Sequence, residues 1–181
     1  ERPAPSTPGG EASLTDWTTV KSSGSFDEEG MESSVVAELS LKDHLEAQLA
    51  IAALTPEDRM ICLGLIDGID EAGYLRTEPQ DLVEKLGCEI EDVQAVLGVL
   101  QGFDPVGVGA RDLAACLSLQ LQALDRLDPA MAMLLTRLDL VARRDFSQLG
   151  ALCGVDAEDI ADMLAEIRGL NPKPGLTYGS E

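Results

Sequence analysis

A register shift of 67 residues lays Leu82–Val108 over Leu149–Gly175 without a gap, and this internal echo constrains the fold more than any other feature of the chain. Leu82/Leu149, Gly87/Gly154, Glu91/Glu158, Asp92/Asp159, Leu97/Leu164, Gly102/Gly169 and Pro105/Pro172 are identical pairs. The stripe Val93, Val96, Leu97, Leu100 becomes Ile160, Met163, Leu164, Ile167. Its i, i+3, i+4, i+7 spacing puts four apolar side chains on one face of an α-helix. Each copy reads as a short helix, a glycine stop, an acidic start, an amphipathic helix, a second glycine stop and then Asp-Pro or Asn-Pro. Two such copies predict two helix-turn-helix-like pairs, each preceded by a helix that starts at a proline.

Helix starts are written locally elsewhere too. Ser40 with Asp43 three residues on predicts an N-cap ahead of Leu41, Leu45 and Leu49. Thr55-Pro56-Glu57-Asp58 combines a cap, a first-turn proline and acid at the positive end of a helix dipole. Further helices are expected over Thr77–Leu86, Ile90–Gln101, Ala110–Leu124, Asp128–Arg143, Asp145–Cys153 and Ala157–Arg168, and no segment reads as a strand. Aromatics make up only 3% of the chain against 45% hydrophobic residues, so aliphatic side chains must fill the core, as in helical bundles. The expected fold is all-α: two small helical subdomains, each with a helix-turn-helix-like pair, joined by a connecting helix. Residues 1–39, rich in Pro, Gly, Ser, Thr and acid, read as a disordered acidic linker with one apolar island around Trp17. The first subdomain is expected over 40–109, and the connecting helix and second subdomain over 110–181.

The formal net charge of −20 sets these helices against phosphate and anionic membranes. The helix expected at 157–168 carries Glu158, Asp159, Asp162 and Glu166 against Arg168 alone, the opposite of a major-groove reader. A helix-turn-helix DNA-binding module is therefore the alternative, not the first reading. Cys62, Cys88, Cys116 and Cys153 form no CxxC pair and His44 is the only histidine, so no zinc set is expected. The cysteines read as buried thiols of a reducing cytoplasm. No apolar run reaches the ~20 residues a membrane span needs. GVGARD at Gly107–Asp112 departs from a dinucleotide fingerprint at its last position and follows a helix rather than a strand. With no nucleophile motif either, the chain reads as a non-enzyme without a cofactor. It begins at Glu1 with no methionine, as a processed or cut chain would.

Three longer motifs remain: IDEAGYL at Ile69–Leu75, FDPVGVGARDL at Phe103–Leu113 and IRGLNPKPG at Ile167–Gly175. In this order and spacing they resemble the sigma-54 family, the enhancer-dependent bacterial RNA polymerase sigma factors, over about Leu41–Gly175. The resemblance implies the family's core-binding domain, all-helical and in two subdomains, with core RNA polymerase (its beta and beta-prime subunits) as partner. It also implies that residues 1–39 correspond to a variable acidic region lying along the DNA channel of the polymerase. Departures are expected as well: the Gln- and Leu-rich activator-responsive segment, the basic DNA-binding helix-turn-helix and the promoter-reading element have no counterpart in this sequence. Contact or turn-fixing residues are expected at Phe103, Asp104, Pro105, Arg111, Asp112, Arg168 and Lys173, with capping and packing at the subdomain junction as their other reading.

Overall fold

A computed structural model describes residues 39–179. The reading of residues 1–39 as a disordered linker thus falls, apart from Leu39, outside the described residues. In order, the chain forms α1 (Leu41–Ile51), α2 (Pro56–Asp67), α3 (Pro79–Leu86), α4 (Ile90–Leu100), α5 (Leu113–Ala123), α6 (Pro129–Thr136), α7 (Leu138–Arg143), α8 (Phe146–Cys153) and α9 (Ala157–Arg168). A short 3₁₀ turn, Pro174–Thr177, follows. The described residues contain no strand, only isolated bridges at Ile69–Leu75 and Tyr74–Ala110. The fold is all-α.

The local start signals work as side-chain chemistry requires. Ser40 and Asp43 form a reciprocal capping box, and Thr55, Asp128 and Asp156 each accept backbone N–H bonds from the first turn they precede. α1 lacks a basic residue in its last turn; Arg59 of α2 supplies one from outside, donating to the carbonyls of Leu49 (2.8 Å) and Ala52 (2.6 Å). The internal echo is a structural one. α3–α4 and α8–α9 are the corresponding pairs, and their stops, Gly87 (φ 68°, ψ 30°) and Gly154 (φ 71°, ψ 31°), share one left-handed conformation. Glycine takes it without the Cβ penalty.

Three limits differ from the expected ones. α3 starts at Pro79 rather than Thr77; Thr77 instead fills the space over Gly68, where an added Cβ would lie 2.2 Å from its hydroxyl. α5 starts at Leu113 under an Asp112 cap, because Gly109 and Ala110 are engaged by the Gly73–Leu75 segment. The single helix expected over Asp128–Arg143 breaks at Arg137 (φ −126°, ψ 42°). On one continuous helix Leu134 and Leu140 would point ~120° apart; across the break both are buried in one cluster with Leu149 and Ile160.

The apolar core falls into a larger cluster drawn from 41–108, including Leu45, Leu65, Val93 and Leu100, and two smaller ones from 117–164. The smaller two share Leu138, Met163 and Ile167 along their edges. Tyr178, last in the chain among the core-forming residues, packs against the first cluster.

Candidate functional site

The IDEAGYL segment is a turn closed by its own aspartate. Asp70 Oδ1 accepts from the Tyr74 N–H at 2.9 Å, Oδ2 accepts from Arg76 Nε at 2.7 Å, and the Asp70 N–H donates to the Tyr74 carbonyl at 2.9 Å. Partial burial works to raise the Asp70 pKa, but the Tyr74 N–H and the Arg76 guanidinium together hold it below the usual carboxylate range. Gly73 turns the chain at φ 97°.

Both other motifs dock on this turn. Gly109 N–H donates to Gly73 O (2.9 Å), Leu75 N–H donates to Ala110 O (2.9 Å), and Gly175 N–H donates to Ala72 O (3.0 Å). Gly175 ends the second copy of the repeat and Gly109 stands one residue past the end of the first, so both copies close on one loop, a single residue out of register. The approach is tight: a Cβ on Gly175 would lie 2.3 Å from Glu71 O and 2.6 Å from Gly73 N. Tyr74 donates its phenol to Pro172 O at 2.5 Å. Burial first, and the neighbouring Cys116 thiol next, push that phenol up to about 12. Gln120, a buried polar side chain of α5, binds both backbone groups of Asn171: its Nε2 donates to the carbonyl at 2.6 Å and its Oε1 accepts from the N–H at 2.9 Å. Gly107 (φ 98°) lies against Gln120 and Cys116 of α5, with an added Cβ 2.9 Å from Cys116 Sγ and 3.0 Å from Gln120 Nε2.

Asp104 forms a second hub on the α4–α5 turn. Gln48 of α1 holds its backbone at both ends, Oε1 accepting from the N–H at 2.8 Å and Nε2 donating to the carbonyl at 2.6 Å. Its Oδ2 accepts the Tyr178 hydroxyl at 2.7 Å and lies 2.9 Å from His44 Nε2. The Tyr178 and His44 bonds keep the Asp104 carboxyl below its ordinary range. The His44 and Tyr178 rings stack with centroids 4.4 Å apart. Three elements far apart in sequence meet on one carboxylate.

The family model described as "Sigma-54 factor, core binding domain" matches residues 30–181. The chain belongs to the sigma-54 factor family. It is 51% identical over 171 residues, 94% of its length, to "RNA polymerase sigma-54 factor 1" of Bradyrhizobium diazoefficiens, of which this covers 35%. It is 49% identical to the "RNA polymerase sigma-54 factor" of Caulobacter vibrioides over 92% of its length and 34% of that relative. The corresponding protein of Azorhizobium caulinodans is 53% identical over 82% of the chain and 29% of that protein. The sigma-54 chain thus spans about a third of the length of these relatives.

Of the residues singled out in the sequence, most lie within this junction. Phe103 is half-buried against the first core cluster, Asp104 is the hub just described, and the Pro105 carbonyl accepts from Val108 N–H at 3.1 Å. Arg111 pairs with Glu78 at 2.5 Å, and Asp112 caps α5 by accepting from Ala115 N–H at 2.8 Å. Arg168 and Lys173 stand apart: both are exposed and form no ion pair among the described residues. Sequence reasoning missed Gln48, Tyr74, Gln120 and Tyr178. Gln48 falls one helical turn after His44, but only the fold brings Asp104 to both.

Among the described residues no group of three or more His, Cys, Asp or Glu gathers as a metal set, and no helix is long and apolar enough to cross a membrane. In this sigma-54 chain the three family motifs meet in one hydrogen-bonded junction.

Proposed function

We propose that this chain is the part of a sigma-54-type transcription initiation factor that attaches to core RNA polymerase. The match of residues 30–181 to the family's core-binding domain carries the reading. The charge of −20 supports it against the helix-turn-helix DNA-binding alternative, as do the exposed acids Glu158, Asp159 and Asp162 on α9. The role proposed is binding, not catalysis, exercised in the bacterial cytoplasm, with the beta and beta-prime subunits as the surfaces met.

Two subdomains, 40–109 and 110–181, are the proposed binding units, and the division of the core into clusters from 41–108 and 117–164 supports this boundary. The junction of the three motifs sets how the two present their surfaces. Phe103, Asp104, Pro105, Arg111 and Asp112 act in it as turn-fixing residues. Arg168 and Lys173, exposed and unpaired among the described residues, are the proposed direct contacts.

Gel filtration of the chain with core polymerase, and separately with promoter duplex at moderate salt, tests this. Co-elution with polymerase is expected. Failure to co-elute, with tight and steeply salt-dependent binding to duplex instead, would transfer the chain to the DNA-binding class.

A further inference from the structure

Among the described residues, four positions next to helix C-termini take the left-handed conformation: Gly87, Asp125, Arg144 and Gly154. Glycine pays no Cβ penalty there, and aspartate is among the few side chains that tolerate the region. Arg144 (φ 58°, ψ 31°) is the exception. Its surroundings form a Schellman closure, with Asp145 N–H donating to Leu140 O (3.0 Å) and Arg144 N–H donating to Val141 O (3.1 Å). The end of α8 uses the same long bond, Val155 N–H to Gly150 O (3.1 Å), with Gly154 at the left-handed position. The same backbone problem is therefore solved once by glycine and once by a strained arginine. Helix-end electrostatics do not require it, since Arg143 already places a cation in the last turn of α7.

What Arg144 adds is a side chain on an exposed turn. Arg143, Arg144 and Phe146 are all solvent-exposed, Phe146 being 38% exposed at the first position of α8. Arg137, by contrast, is tied to Asp139 at 3.1 Å, whereas Arg143 and Arg144 form no ion pair among the described residues. The carboxylate between them and Phe146 is engaged, because Asp145 Oδ1 accepts from Gln148 N–H at 3.1 Å. Two arginines without an ion-pair partner among the described residues thus lie two and three positions along the chain from an exposed phenylalanine. Arginine beside an aromatic is the composition of a protein-interface hot spot.

We propose that the turn Arg143-Arg144-Asp145-Phe146 is a docking knob for a carboxylate-bearing protein surface, the two arginines pairing with acid and Phe146 seating in an apolar recess. The proposal rests on the polymerase-binding reading and places that surface on core RNA polymerase. Nucleic acid would offer the arginines phosphate as well, but a chain of net charge −20 approaches an extended polyanion against its own field, and a small acidic patch on a protein sets far fewer charges against it.

The test uses the full chain and fluorescence anisotropy against core polymerase at low and moderate salt. Three variants are compared: Arg144→Gly, Arg143→Ala/Arg144→Gly and Phe146→Ala. Arg144→Gly is expected to melt higher than the parent while binding about tenfold more weakly with a shallower salt dependence. The other two are expected to bind at least as weakly as that variant. Unchanged affinity and salt slope in Arg144→Gly, with the parent binding, overturn the knob and leave the polymerase reading standing. A parent that does not bind polymerase overturns both. Parent binding to duplex DNA that the arginine variants lose overturns the choice of an acidic protein surface.

Discussion

Tyr178 donates its hydroxyl to Asp104 Oδ2 at 2.7 Å, so a residue beyond the last helix is fastened to the turn between α4 and α5. With His44 stacked on the same ring and bound to the same carboxylate, this bond ties the C-terminal segment to the first core cluster.

Replacing Asp104 exposes the pH dependence of the tie. Its folded pKa is depressed, so its contribution is complete above the ordinary carboxylate pKa near ~4 and is lost as pH falls through the lower folded value. The melting temperature of Asp104→Asn is therefore expected below that of the parent at pH 7, with the gap closing toward pH 3. The side chain is 65% exposed, so the gap is small. A gap that widens in acid contradicts the assignment.

Two glycines should respond to alanine in opposite directions. Gly175→Ala drives a Cβ into the backbone of Glu71 and Gly73 and is expected to cost about 1–3 kcal/mol in urea unfolding. Gly98, exposed in α4 with nothing within 4 Å of its would-be Cβ, is expected to gain about 0.5–1 kcal/mol as alanine.

Gln120→Ala removes both partners of the Asn171 backbone. A loss of about 1–3 kcal/mol is expected. Hydrogen exchange gives the local readout: the Asn171 amide should lose protection before amides in α2 do.

Burial pushes the Cys62 thiol up to about 11 and raises that of Cys116 as well. Both are fully buried. At pH 8 a thiol reagent should modify the half-buried Cys88 and Cys153 first and reach Cys62 and Cys116 only on unfolding. Rapid labelling of Cys62 in the native chain would contradict this packing.

Read from its amino acids alone, the chain declares its helices, their caps and its family. Ser40 with Asp43, Thr55 with Pro56, and Asp128 with Pro129 act on backbone groups within three residues, so their outcome needs no distant partner. Gly87 and Gly154 mark equivalent stops because the left-handed region is a local preference. The break at Arg137 carries no glycine or proline; burying Leu134 and Leu140 together decides it, and that burial exists only once α8 and α9 are in place. Likewise the motifs IDEAGYL, FDPVGVGARDL and IRGLNPKPG are visible as separate strings, but their common junction is not. Its backbone bonds span from 35 residues, Leu75 to Ala110 O, to 103, Gly175 to Ala72 O. Contacts at such separation are set by how the helices pack, and only the tertiary structure shows that the three family motifs are one object.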